Sequence, residues 1–157
     1  MWRSRVVAVL AAAATSAGCA GGGTDAGNAA VYDAWRAQRS SVEVTASGSV
    51  ARIFGTRLGR SGEHEGFLLH LRGPGGHGLT VRVEDNVDIT GPIPLQTGDD
   101  VEVRGEYIFD PRGGIVHYTH HDPRGHHSSG YVKVRDRLYS QALLPYHIQS
   151  AASDPIL

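Results

Sequence analysis

The chain has 157 residues, with 15 Lys and Arg against 16 Asp and Glu, which leaves room for one domain with tails. The near-neutral balance argues against a strongly basic nucleic-acid-binding protein, and the single cysteine excludes an intramolecular disulfide framework and a cysteine-rich zinc site. A composition of 40% apolar and 20% charged residues is typical of a folded globular domain.

Residues 1–18 are predicted to be a secretory signal. Arg3 and Arg5 supply its positive start, and the apolar run from Val6 to Ala14 is shorter than a membrane-spanning helix requires. Cleavage would remove two arginines and no acidic residue, which changes the net charge from −1 to −3. From this acidic balance we expect no strong binding of nucleic acid by bulk electrostatics.

Cys19 follows the signal directly. The run Ser16-Ala17-Gly18-Cys19 resembles the lipobox of bacterial lipoproteins, although Ser16 stands where leucine is usual, and the resemblance implies that Cys19 is lipidated. Ordinary cleavage nearby, which would leave a free thiol, is the alternative. Because two or more acyl chains anchor a protein stably, we expect an exported, membrane-anchored lipoprotein that is periplasmic or exposed at the cell surface.

Residues 19–27 are glycine-rich and predict a flexible tether, and residues 28–41 predict a short helix. Asn28 is suited to cap this helix, and Val31 and Trp35 lie four residues apart on one of its faces. An apolar stripe of this size does not hold an isolated helix together in water. We therefore expect the helix to pack on the domain that follows.

From residue 42 to residue 140 the apolar pattern changes to a period of two. The apolar side chains that share one parity within each run are Val42, Val44, Ala46, Val50 and Phe54; Phe67, Leu69 and Leu71; Leu79, Val81 and Val83; Val101, Val103, Tyr107 and Phe109; and Val132 and Val134. This alternation predicts half-buried strands, which glycine- and proline-rich turns separate. Five to six short strands predict a small antiparallel all-β domain, a barrel or a sandwich, followed by a tail over residues 141–157.

One run indicates which all-β fold is formed. Residues 85–98 make the longest connection between strands, and Gly98-Asp99, Val101, Val103 and Gly105 follow it. This run resembles the fourth strand of oligonucleotide/oligosaccharide-binding (OB) barrels, where an interior glycine allows the sharp coiling that closes the barrel. We predict an OB-like barrel, closed or partly open, over residues 42–140, with a generic antiparallel sandwich as the alternative.

Several short stretches resemble a known family. In order they are Glu63-His64-Glu65-Gly66-Phe67, Asp85-Asn86-Val87-Asp88-Ile89, Gly98-Asp99, Gly105-Glu106-Tyr107, Gly113 to Pro123, and Gly130-Tyr131. Together they are similar to domain-of-unknown-function family 3465, small exported bacterial proteins, over about Gly48 to Tyr139. The chain departs from the family pattern at Asp85, where the family has histidine, and at Tyr118 and Tyr131, where it prefers tryptophan. The family has no established activity, so the resemblance implies a fold and candidate positions only.

The segment 117–127, HYTHHDPRGHH, holds five of the nine histidines. At about 3.3 Å per residue in an extended strand, His117 and His121 would lie about 13 Å apart, too far to share one ion. His120 and Asp122 would share a face at a workable spacing, and Gly125 lets the chain curl back toward them. Spacing therefore predicts that the metal ligands, if the segment binds a metal, come from its centre.

Imidazole and carboxylate groups are ligands for divalent transition metals such as zinc, manganese and iron. The predicted metal site consists of His120, Asp122 and His126, with His117 or His64 completing it from a neighbouring strand. In the alternative interpretation these residues form a hydrogen-bonded or solvated loop, in which Asp122 caps a turn through its side chain.

Other polar residues offer further candidates. Asn86, Asp88 and Asp85, on the long connection, are predicted to contact a ligand or to support the residues that do. Glu63, Glu65 and Glu106 are interpreted mainly as solvated residues on the outer faces of strands, although paired carboxylates also serve acid–base chemistry.

The leading hypothesis is a monomeric exported binding module whose OB-like barrel binds an unresolved ligand: an envelope protein, an oligosaccharide or a metal ion. The alternative is a metal-dependent hydrolase of the cell envelope that acts on phosphodiesters, with His117, Glu106 and Asp88 as catalytic candidates. A purely structural envelope protein is the third hypothesis.

Overall fold

The computed structural model describes residues 25–73 and 77–141. The predicted signal, Cys19, most of the tether and nearly all of the C-terminal tail lie outside these residues. No helix in the described part of the chain has the length and apolar character needed to cross a membrane.

The domain has one N-terminal helix, one short internal helix and seven strands within the described residues. They are α1 (Asp25–Arg36), β1 (Val42–Gly59), β2 (Gly62–Arg72), β3 (Gly78–Asn86), α2 (Val87–Thr90), β4 (Asp100–Ile108), β5 (Ile115–His117), β6 (Tyr131–Val134) and β7 (Arg137–Tyr139). The sequence pattern identified β1 to β4 and β6. It missed β5 and β7, because three residues are too few to show an alternation.

Five strands close into a barrel in the order β1-β2-β3-β5-β4, since β4 also pairs with β1. The β3–β5 pairing is parallel and the other pairings in the ring are antiparallel. This is the strand order of an OB barrel, so the predicted fold is confirmed. The β6–β7 hairpin extends the sheet from the free part of β4.

The predicted alternation fills the barrel interior. Buried apolar side chains from β2, β3, β4 and β6 are Phe67, Leu69 and Leu71; Leu79, Val81 and Val83; Val101, Val103 and Tyr107; and Val132 and Val134. Gly105 leaves room for the neighbouring strand, because a Cβ there would collide with the His117 carbonyl oxygen on β5. The absence of a side chain lets β4 and β5 approach where the barrel closes.

The prediction is wrong at Phe54. Irregular register between Val50 and Arg52, and again between Ile53 and Gly55, shifts the alternation along β1. A bulge adds a residue to one strand and reverses which side chains face inward after it. Phe54 therefore lies on the outer face, with 42% of its surface exposed, although the pattern had placed it with the inward residues.

The helix also differs from its prediction. It begins at Asp25, three residues before the expected cap, and ends at Arg36. Asn28 is inside the helix and buried, where its amide donates to the carbonyl oxygens of Ser47 (2.9 Å) and Arg72 (3.0 Å) and accepts from the Ser47 N–H (2.9 Å). As expected, the helix packs on the barrel, and Asn28 attaches it to both β1 and β2.

We expect Asn28→Ala to lower the free energy of unfolding by about 1–3 kcal/mol, because it leaves partly buried backbone groups of Ser47 and Arg72 without these partners. Urea titration of the purified chain measures the change. Asp33→Ala, which removes an exposed ion pair of 4.0 Å to Arg36 on the same helix, is the matched control and should change stability by less than about 0.5 kcal/mol. Equal losses in the two variants would contradict the role given to Asn28.

Candidate ligand-binding cleft

A cleft of about 920 Å³ lies on the outer face of the barrel. One wall is the end of the β1–β2 hairpin, residues 55–66, which we call the hairpin arm. The other wall is β5 together with residues 118–130, which we call the histidine loop. Lining residues include Arg57, Arg60 and His64 on the hairpin arm, Glu84 on β3, and His117, Tyr118, His120, Arg124 and His127 on the opposite wall.

Asn86 and Asp88 hold the hairpin arm in place. The Asn86 side chain donates to the Ser61 carbonyl oxygen (2.9 Å) and accepts from the Asp88 N–H (3.1 Å). The Asp88 carboxylate accepts from the Glu63 N–H (2.9 Å) across the turn of the arm. Both residues are predicted to contact a ligand or to support the residues that do, and Asp88 is also a catalytic candidate. Their hydrogen bonds correspond to the supporting role, because they fix the shape of the cleft.

Asp122 organises the histidine loop. Its carboxylate accepts the backbone N–H groups of Arg124 (2.8 Å), His127 (2.9 Å) and His126. Desolvation opposes ionisation, but these hydrogen bonds outweigh it and lower the pKa of Asp122 to about 2. This geometry corresponds to the turn-capping interpretation of Asp122.

Stacked aromatic rings form part of the wall made by β5 and the histidine loop. Tyr118 stacks between His117, with ring centroids 3.8 Å apart, and His127, at 4.3 Å, and His120 meets His127 edge-on at 4.9 Å. Tyr118 has a φ of 55°, a left-handed conformation that turns the chain out of β5. The stack positions the two imidazoles, while 39% of the surface of Tyr118 stays exposed in the cleft.

The residues predicted to bind a metal all line the cleft, but they do not form a ligand set. In the described residues no group of three or more His, Cys, Asp or Glu is arranged to hold a metal ion. His126 and His127 each lie 3.9 Å from the Asp122 carboxylate, and a His120 ring nitrogen lies 3.1 Å from the His121 carbonyl oxygen. Metal binding stays a prediction that this arrangement does not support.

A carboxylate pair lies on the inward face below the cleft. Asp85 and Glu65 stand opposite each other on β3 and β2. Asp85 is fully buried and accepts from the hydroxyls of Thr119 (2.7 Å) and Thr90, while Glu65 accepts from the Ile93 N–H (3.2 Å). The pair thus ties the barrel to the histidine loop and to the β3–β4 connection. The interpretation of Glu65 as an outward, solvated residue is wrong, because it shares the parity of the buried Phe67.

Burial shifts the pKa of both carboxyls upward. Burial raises the pKa of Asp85 despite the hydrogen bonds from the Thr90 and Thr119 hydroxyls. Burial also raises the pKa of Glu65 to about 7, and the neighbouring charge of Asp85 contributes in the same direction. The parity that Glu65 shares with Phe67 is visible in the sequence and points inward, whereas the contact with Ile93 depends on the position of the β3–β4 connection.

Two further carboxylates pair with basic groups on the outer face. Glu84, which is 9% exposed, accepts from Arg57 (2.9 Å) and pairs with Arg82. Glu106 lies 3.7 Å from the His117 ring, as expected for directly opposed residues on β4 and β5. Burial lowers the pKa of His117, and the Glu106 charge opposes this shift only in part, so neutral imidazole is favoured.

These features define the class of domain: an OB barrel with a cleft on its outer face. The chain belongs to the family described as Protein of unknown function (DUF3465), whose model matches residues 14–140. Among solved structures, a small single-stranded DNA-binding protein from Streptomyces coelicolor is similar, with 22% sequence identity, a TM-score of 0.42, and coverage of 48% of this chain and 84% of that one. No protein with curated annotation matches the chain.

We expect the wild-type protein to lose stability as the pH rises from about 4.5 to 7, and we expect Glu65→Gln to lack this loss. The folded state binds the Glu65 proton more tightly than the unfolded state, so the stability that this proton contributes is lost as the pH rises through that window. With a discount for solvent screening, the loss is on the order of 1–2 kcal/mol.

Urea unfolding at pH 4.5 and pH 8 measures this effect, and Glu63→Gln, at an exposed position on the same strand, is the control. The glutamine at position 65 can still accept from Ile93, so the variants should differ mainly at pH 8, where Glu65→Gln is the more stable. An unchanged pH dependence in Glu65→Gln would contradict the assignment.

Proposed function

We propose that this protein is an exported binding module whose OB barrel holds an anionic ligand in the cleft. The observation that carries the proposal is the distribution of charge: Arg57, Arg60 and Arg124 line one cleft from its two walls. The two carboxylates that line it, Glu84 and Asp122, are already engaged by Arg57 and Arg82 and by backbone N–H groups. Arg60 and Arg124 make no ion pair within the described residues, so their charge is available to a ligand.

The shape of the cleft supports the same function. A hydrogen bond donated by Asn86 and one accepted by Asp88 fix the hairpin arm, and those accepted by Asp122 fix the histidine loop. A site whose walls are held before the ligand arrives loses less conformational freedom on binding. Guanidinium groups recognise phosphate and carboxylate oxygens with paired, charge-assisted hydrogen bonds. A phosphate-bearing or carboxylate-bearing ligand is therefore the class that the cleft suits.

The hydrolase hypothesis keeps one specific observation in its favour. Glu106 lies 3.7 Å from His117, and burial lowers the pKa of His117, as a general base needs. Asp88 supports this alternative less, since its carboxylate holds the hairpin arm. Cleavage of a model phosphodiester that His117→Ala abolishes would favour the hydrolase, whereas binding without turnover would favour the module.

We expect inorganic tripolyphosphate to bind the mature chain, residues 19–157 with Cys19→Ser, in a saturable manner. Amide resonances of residues 57–64 and 118–127 should shift in nitrogen-15 NMR spectra during the titration. Arg60→Gln combined with Arg124→Gln should weaken binding by about a hundredfold or more, because each charge-assisted contact contributes about 1.5–3 kcal/mol.

Arg112→Gln is the control, since this arginine is paired with Asp110 at 3.0 Å and does not line the cleft. The proposal fails if the cleft resonances do not shift, or if Arg112→Gln weakens binding as much as the double change.

Export and anchoring complete the proposal, with Cys19 as the lipidated residue. Cells that express the full chain with an alkyne-bearing fatty acid should incorporate the label, and Cys19→Ala should abolish labelling and release the protein from the membrane fraction. Two acyl chains or more account for stable anchoring. Equal labelling of the two chains would contradict the assignment.

A further inference from the structure

An exposed aromatic ring with two arginines close to it lies beside the cleft. The guanidinium carbons of Arg52 and Arg82 lie 5.2 and 5.0 Å from the centroid of the Phe54 ring, which is still 42% exposed. The irregular register of β1 turns Phe54 outward, and Gly66 beneath it offers no side chain that would lift the ring from the sheet. An exposed ring held in this way presents a planar apolar surface among positive charges.

A chain of ion pairs joins this ring to the cleft. Arg82 pairs with Glu84, and Glu84 accepts from Arg57, which lines the cleft. We call the set Arg52, Phe54, Arg57, Arg60, Arg82 and Arg124 the arginine face. At about 3.3 Å per residue, the stretch of β1 from Arg52 to Gly59 spans about 23 Å, long enough for several nucleotides.

The local charge differs from that of the whole chain. The full sequence has a net charge of −1, yet five arginines lie on the arginine face. Glu84, the strand carboxylate that lines the cleft, is paired with two of them, Arg57 and Arg82. The expectation of weak nucleic-acid binding used only the sum of charges. A binding surface depends on how those charges are distributed.

We propose that the arginine face binds single-stranded nucleic acid, with phosphates at the arginines and a base stacked on Phe54. This inference rests on the proposed function, because the same cleft takes the phosphate groups. Basic grooves with an aromatic platform bind single strands in this manner, since an unpaired base has a free face to stack. The bases of a duplex are stacked on one another, and a simple polyanion has no bases. Phe54 should therefore favour a single strand over a duplex or a simple polyanion.

The test is fluorescence anisotropy with a labelled 12-nucleotide oligothymidylate and the mature chain, at 50 and 200 mM salt. We expect Phe54→Leu, which keeps apolar bulk but removes the ring, to weaken binding by about fivefold or more. Arg52→Gln should weaken binding and reduce the steepness of its salt dependence by about one unit. Arg137→Gln is the matched control: this arginine lies 5.0 Å from the ring of Tyr139 on β7, but that ring is buried.

The outcomes separate the inference from the proposed function. Three results together support the inference: a 12-base-pair duplex binds more weakly than the single strand, Phe54→Leu weakens binding of the single strand, and Arg137→Gln binds it as wild type does. Equal oligonucleotide binding by wild type and Phe54→Leu, or tighter binding of the duplex, overturns the inference. In that case, resonance shifts in the cleft with tripolyphosphate would still support the proposed function. Loss of binding to both tripolyphosphate and the oligonucleotide would overturn both. Thermal melting of each variant confirms that it is folded.

Discussion

Strand β1 takes part in two different pairings, and the cleft depends on this division. Its first part, from Val42 to Ser49, pairs with β4 and closes the barrel, whereas the part from Gly48 to Gly59 pairs with β2. A strand can serve both neighbours in this way only if it bends, and Gly48 permits the close approach because a Cβ there would collide with the His70 backbone. Beyond the bend, β1 and β2 continue as the hairpin arm that forms one wall of the cleft.

Polar side chains then set the second wall against the first. Thr119 at the start of the histidine loop donates to the buried Asp85 of the barrel, and Asp122 gathers the backbone of the same loop. Such contacts are effective because a buried carboxylate needs hydrogen-bond partners, and the loop supplies them. The polar residues beneath and beside the cleft therefore act mainly as supports, which is why the proposed function assigns ligand binding to the arginines on its rim.

Particular residues show how far sequence reasoning reached into the site. The histidine segment was identified by composition, and the structure places His64, His117, His120, Asp122 and His126 around one cleft. Composition could not show that Asp122 accepts from its own loop or that Tyr118 stacks between two imidazoles, because both follow from the loop conformation. The face predicted for Glu65 is wrong because its shared parity with Phe67 was not used, and the face predicted for Phe54 is wrong because a bulge in β1 shifts the alternation.

The sequence by itself determined the OB barrel, because alternation with a period of two, turn residues and the glycine of β4 act locally and each favours the same strands. It also determined which chemical groups the domain carries. Only the tertiary structure decided where those groups meet: five arginines on one face of a chain whose net charge is −1, and carboxylates turned inward beneath them. Charge sums and spacings are properties of the linear chain, whereas a binding face arises from contacts between residues far apart in sequence, such as Arg57 with Glu84 and Thr119 with Asp85.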